Sequence, residues 1–270
     1  MVWELLFYAG IGSLAGFFAG LLGIGGGLII VPLLIILLDG KLSDAYAVQM
    51  SVATSLAVIV VTAVPSFLTH AKGGRVFWRI AAWMLTGACV GAPLVAIVAQ
   101  HIPGKIVQGF LILFMLHHSW HLFFNRRSPV SAASLQLSAP LLAAMGSFVG
   151  GMSALLGIGA GALSVPFLSR RGIALPIAIG TAAFMGFPLA FFAHAGYIIG
   201  GWGNELLPEG TWGYVFFPAF WGIAVFSMAF AVIGARITAR LPEHILRRVF
   251  GALLLVLAGR MLWQLLSYLY

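Results

Sequence analysis

The sequence predicts an all-α polytopic membrane protein made of two inverted-topology repeats. Each repeat is a glycine-broken helical hairpin followed by three spanning helices. Three observations predict it. Of the 270 residues, 62% are hydrophobic and only 7% charged, too few charges to cover a soluble domain, so lipid is the solvent for most of the chain. Residues 16–32 return 134 positions later as residues 150–166, with Gly23, Gly25, Gly27 and Pro32 matched by Gly157, Gly159, Gly161 and Pro166. Basic residues stand as short punctuation between apolar runs, the pattern that orients membrane helices.

The elements follow in order. Leu5–Leu38 is charge-free over 34 residues, about 51 Å as one helix against a hydrocarbon core of about 30 Å. It must break, and Gly23-Ile-Gly-Gly-Gly27 is where the backbone turns most readily. Ala45–Ala71, Ile80–Gly104 and Ile106–Asn125 are the three spanning segments that complete a first repeat, residues 1–127. Ser128–Ser169, broken at Gly157-Ile-Gly-Ala-Gly161, opens a second repeat, residues 128–270. Ile173–Asn204, Gly210–Ala235 and a segment around Val249–Gly259 complete it. The amino terminus, Met1-Val-Trp-Glu4, lacks the basic start of a signal peptide, so it reads as a retained first membrane segment.

The loops orient these elements. Lys72, Arg75, Arg79, Arg126, Arg127, Arg170, Arg171, Arg236, Arg240, Arg247 and Arg248 fall on one side, predicted cytoplasmic. Of the 14 Lys and Arg, only Lys41, Lys105 and Arg260 fall elsewhere. Asp39, Asp44, Glu205, Glu209 and Glu4 go to the other face. Both termini then face out, and five elements per repeat invert the second repeat relative to the first. This distribution also removes nucleic acid as a partner, despite a net charge of +8.

Paired glycine-interrupted segments in two halves point to a transporter's binding site. A non-helical turn at membrane depth is tolerated only against protein or a water-filled cavity. A helix restarting after it presents unpaired N–H groups and a positive dipole end, which suits an anion. The candidates are Gly23, Gly25, Gly26, Gly27, Gly157, Gly159 and Gly161; tight helix packing is the alternative role for them. Ser51-Val-Ala-Thr54-Ser matches Ala178-Ile-Gly-Thr181-Ala, so Thr54 and Thr181 are candidate hydroxyl donors, with back-bonding to their own helix as the alternative. Gln49 is a polar helper on the same helix as Thr54. His70 and His194, late in the third elements, are candidates for proton coupling. Arg260 reads as snorkelling to the outer face, with positive charge for an anion route as the alternative.

Other chemistries lack material. His117 and His121 stand at metal-ligand spacing beside His118, but no acidic or cysteine partner accompanies them, so no metal site is expected. The single Cys89 makes neither an intramolecular disulfide nor a cluster. No nucleotide-binding loop, no cofactor motif and no intramembrane carboxylate pair is present, so no enzyme is expected. A membrane-embedded enzyme acting on a lipid or quinone remains the alternative class, resting on the His117–His121 group, and an uncoupled anion channel a third.

Gly16-x-x-x-Gly20-Leu-Leu-Gly-Ile-Gly-Gly-Gly27-x4-Pro32, its copy ending at Pro166, the two threonine elements and Leu241-Pro-x-x-x-Leu-Arg-Arg248 resemble the TauE/SafE sulfite exporter family, also called the toluene-sulfonate uptake permease family. The resemblance implies a bacterial inner-membrane carrier of small sulfur-containing oxyanions: sulfite, thiosulfate, or sulfonates such as sulfoacetate. Alternating access is the expected mechanism and export the expected direction. Two positions break the repeat, Ala160 against Gly26 and Ala182 against Ser55. They predict weaker binding at the second hairpin, or a structural role for it alone.

Overall fold

The computed structural model describes residues 2–22, 25–38, 44–124, 137–237 and 243–267. Gly23, Asp39, Lys41, Arg126, Arg127 and Arg240, among the residues singled out above, lie outside them. The described residues form ten helices: α1 (Val2–Leu22), α2 (Gly27–Leu38), α3 (Asp44–Lys72), α4 (Trp78–Ala99), α5 (Gly104–Phe124), α6 (Ala139–Leu156), α7 (Gly161–Arg170), α8 (Leu175–Gly201), α9 (Phe217–Ile237) and α10 (Glu243–Ser267). Eight are long and apolar enough to cross a membrane. The exceptions are the second arms of the two hairpins, α2 with 12 residues and α7 with 10. At about 1.5 Å per residue these are about 18 Å and about 15 Å long, short of a full crossing.

Helix directions follow from which residues meet. Phe67 packs on Phe184 with ring centroids 5.1 Å apart, while Ala63 faces Gly186 and the Arg75 carbonyl faces Gly180. Rising numbers on α3 meet falling numbers on α8, so these two helices run antiparallel. Helices α5 and α10 do the same: Gln108 Nε2 donates to Met261 O at 3.4 Å and Ser119 Oγ to Gly251 O at 2.8 Å. In contrast, α1 lies parallel to α9, with Gly12 against Ile223 and Gly16 against Ser227. Helix α4 lies parallel to α6, with Met84 against Gly146 and Ala88 against Gly150. Exchanging α1–α5 for α6–α10 turns each of these pairs into itself or into another of them.

The parallel seams explain part of the glycine content. Lipid tails are as apolar as leucine, so membrane helices associate by close backbone approach at small residues. Gly12-x3-Gly16, Gly87-x3-Gly91 and Gly146-x3-Gly150 supply it; at each glycine except Gly150, an added Cβ would strike a carbonyl oxygen of the facing helix outright. Helix α3 is buried along most of its length and, with α8, forms the centre. Outward faces of the other helices carry exposed Trp, Phe, Leu, Ile and Val, as lipid contact requires.

The two ends of the bundle differ in charge. The α3–α4 connection, with Arg75, packs on the first turns of α8, which follow Arg170 and Arg171. At the other end, Tyr46 at the start of α3 meets Tyr214 with ring centroids 6.1 Å apart, in the α8–α9 connection that carries Glu205 and Glu209. That connection contains a small hairpin pairing Thr211 with Phe216 and Trp212 with Val215.

Candidate functional site

Both hairpins turn at their glycines, but with different backbones. In the first, Gly25 and Gly26 have φ of +84° and +75°, left-handed values that side chains resist. In the second, the left-handed residue is Gly157, φ +67°, which ends α6, while Ala160 is right-handed at φ −54°. The two tips then touch. A Cβ on Gly25 would stand 2.9 Å from Gly159 Cα, and one on Gly27 would strike the Gly157 carbonyl oxygen. A Cβ on Gly157 would stand 2.7 Å from Val31 Cγ2 and 3.0 Å from Val52 Cα.

Beside the touching tips lies a small, partly open cavity. Gly25, Gly159, Ala160 and Gly161 bring hairpin backbone to it; α3 contributes Ile59, Thr62, Ala63 and Ser66, α8 contributes Ala182, Ala183 and Gly186, and α1 contributes Ala19. Among the described residues, its lining has no charged and no titratable side chain. Its polar lining is Ser66, Thr62, whose hydroxyl donates to Val58 O at 3.0 Å within its own helix, and helix-start N–H groups. Helix α7 begins there without a side-chain cap, and its first internal bond is Ser164 N–H to Ala160 O at 3.0 Å. The N–H groups of Gly161, Ala162 and Leu163 precede that ladder. Helix α2 starts similarly, with Ile29 and Ile30 N–H both on Gly26 O at 3.0 and 3.1 Å.

The threonines occupy equivalent cross-repeat positions. Thr54 Oγ1 accepts the Phe216 N–H at 3.0 Å, and Thr181 Oγ1 accepts the Phe77 N–H at 3.0 Å. Phe216 and Phe77 are the residues just before α9 and α4, so each threonine receives a helix-start donor from the opposite half. Thr181 also donates to Ile177 O at 2.7 Å. Both are buried and neither lines the cavity. The neighbour of Thr54, Ser55, donates to Gly157 O at 2.8 Å, tying α3 to the second hairpin tip. Ala182, in the equivalent place, has no donor to offer.

Gln49 turns away, donating from Nε2 to Ile102 O at 2.9 Å, with Oε1 buried beside Gly104. His70 is buried near the end of α3, and among the described residues neither ring nitrogen has a partner; the same holds for Nδ1 of His194 in α8. Neither histidine lines the cavity. The His117 and His121 rings lie tilted with centroids 5.1 Å apart, and His121 meets the guanidinium of Arg170. Among the described residues no group of three or more His, Cys, Asp or Glu is arranged to hold a metal ion.

So three of the sequence candidates meet at one cavity, Gly25, Gly159 and Gly161, while Gly26, Gly27 and Gly157 shape the tips behind it. Sequence reading missed Thr62 and Ser66. A usable signal existed: Ile59, Thr62, Ala63 and Ser66 fall at i, i+3, i+4 and i+7 of one helix, a single face.

A family model described as "Sulfite exporter TauE/SafE" matches residues 8–261. A "Probable membrane transporter protein" of Haemophilus influenzae is 35% identical over 257 residues, covering 93% of this chain and 95% of its own. One of the same description from Xylella fastidiosa strain 9a5c is 26% identical, covering 97% and 96%. "Probable membrane transporter protein YunE" of Bacillus subtilis is 26% identical, covering 75% and 82%. No solved structure matches the chain.

Proposed function

The chain belongs to the sulfite exporter TauE/SafE family and is a multi-pass membrane transporter, and we propose that it carries small sulfur-containing oxyanions across a bacterial inner membrane by alternating access. Sulfite, thiosulfate and sulfonates such as sulfoacetate are the substrate class, and export is the direction. The chain acts as a carrier and not as an enzyme. Its two halves are inverted repeats, with both termini on the outer face.

One observation carries this reading: the cavity where both hairpin tips, an uncapped helix start and the hydroxyl-bearing Thr62 and Ser66 converge, with no fixed charge among the described lining residues. Helix-start N–H groups and hydroxyls suit an oxyanion that spreads its charge over several acceptors, and they repel a cation. Gly25, Gly159 and Gly161 let the anion approach the backbone. Thr54 and Thr181 hold the starts of α9 and α4, and their hydroxyls reach the anion only when those bonds open. Gln49 is a polar helper above them. His70 and His194, with buried ring nitrogens, are the groups through which a proton is coupled. The antiparallel run of α3 and α8 supports the inverted repeat.

Purified protein in liposomes tests this. Saturable uptake of radiolabelled sulfite is expected, with competition by thiosulfate and methanesulfonate and none by sodium, potassium or glucose. Uptake that does not saturate would mean a channel. Thermal stabilisation by a metal cation with no effect of any sulfur anion would overturn the reading.

A further inference from the structure

The cavity sits off the centre of the bundle. On α3 it takes residues 59–66, in the second half of that helix, and on α8 residues 182–186, in the first half. Because these helices run antiparallel, both stretches belong to one end, the end of the Arg75 and Arg170–Arg171 loops. An inverted-repeat carrier opens to the other side when each half adopts the conformation of its mate. The repeat correspondence then says which residues line the site in that state. It is 134 positions for the hairpins and 127 for α3 and α8, from Thr54 to Thr181.

We propose that Ser153, with Ser55, forms the second face of the anion site and contacts the transported oxyanion when the site opens to the opposite side. The inference rests on the transport reading above. Ser153 stands where Ala19 stands in the present cavity, and Ser55 where Ala182 stands. Thr62 and Ser66, conversely, map onto Leu189 and Ala193, which are apolar. Each face thus has one pair of hydroxyls, on different residues.

Ser153 behaves as this requires. It is 0% exposed, and among the described residues its Oγ has no hydrogen-bond partner. A buried hydroxyl left unmet is destabilising, and one in a helix can ordinarily bond a carbonyl of its own preceding turn. A donor held idle in one state is explained if the other state supplies its acceptor. Ser55 is occupied by the Gly157 carbonyl and is released when the second hairpin tip moves.

The test uses single cysteines in a Cys89→Ser background, full chain, in right-side-out and inverted membrane vesicles. Ala19→Cys and Ser153→Cys are exposed to a membrane-impermeant thiol reagent, with and without methanesulfonate. The two should label from opposite faces, and methanesulfonate should slow both. Labelling of both from one face, or no labelling of Ser153→Cys in a protein that still exchanges methanesulfonate, overturns the inference. In that case protection of Ala19→Cys leaves the transport reading standing; protection of neither variant removes both. Should Ser153→Cys be inactive, Ser153→Ala decides. It should fold as the wild type does and exchange methanesulfonate about tenfold more slowly, as expected for one lost bond to a charged ligand. Wild-type exchange by Ser153→Ala overturns the proposal.

Discussion

The two hairpin tips have nearly the same sequence and different backbones. At the first, Gly25 and Gly26 are left-handed; at the second, Gly157 is left-handed, Ala160 is right-handed, and Gly159 is not among the positive-φ residues. The Ala160 difference therefore reflects a conformation that tolerates a side chain, while Gly26 sits where one would be strained. The second tip is also tethered by Ser55 to its Gly157 carbonyl, a bond that Ala182 cannot reproduce for the first. On the alternating-access reading proposed above, two copies of one motif in two conformations are what a carrier resting on one side of its cycle needs, since identical halves would place the site midway.

Substitutions at the two tips test this difference, with thermal unfolding in detergent as the measurement. The largest effect is expected from Gly27→Val, because its Cβ would strike the Gly157 carbonyl; overpacking of this kind costs about 1–3 kcal/mol. A wild-type melting temperature for this variant would mean that the tips do not touch. Gly26→Ala should follow at about 1–2 kcal/mol, the cost of a side chain in the left-handed region. A Cβ there would also stand 3.1 Å from Ala15 O. If Gly26→Ala is harmless, the backbone difference between the tips is absent.

Thr54→Val and Thr181→Val each remove the acceptor for one helix-start N–H, at about 1 kcal/mol. The pair sharpens the comparison, because equal losses would mean that the halves share this bond despite their unequal tips. Ser55→Ala should cost about 0.5–1.5 kcal/mol by freeing the Gly157 carbonyl, and it should change the rate of anion exchange more than Thr181→Val does. The smallest effect belongs to Ala160→Gly, about 0.5–1 kcal/mol from added backbone freedom at a right-handed position.

Much of this was legible in the chain. A 34-residue apolar run cannot cross a bilayer straight, so the break at Gly23–Gly27 and its copy at Gly157–Gly161 follow from length alone. The number and order of helices follow from the same arithmetic, and the grouping of the Arg75 and Arg171 loops at one end follows from charge. Membership of Gly25, Gly159 and Gly161 in the cavity was readable because a broken hairpin is the one place where free N–H groups survive at membrane depth.

What the threonine hydroxyls do was not readable. Sequence recurrence singles out Thr54 and Thr181, but their partners are 162 and 104 residues away, in the other half. No local spacing encodes that. Thr62 and Ser66 became part of the site through the depth at which antiparallel α3 and α8 cross, decided by Ala63 on Gly186 and Phe67 on Phe184. The small hairpin at Thr211–Phe216 was equally hidden, since two residues per strand leave no periodicity to read.

Hydrophobic length, charge placement and backbone freedom are properties of segments, so a membrane-embedded, mainly helical, duplicated chain with two glycine-broken hairpins can be read from the residues alone. Only the packed fold shows which end of the bundle holds the cavity, which hydroxyl-bearing residues line it, and which of two near-identical tips is tethered. Those depend on how one half packs against the other. A repeated sequence is compatible with either of two arrangements related by exchanging the halves, and only the packing selects one.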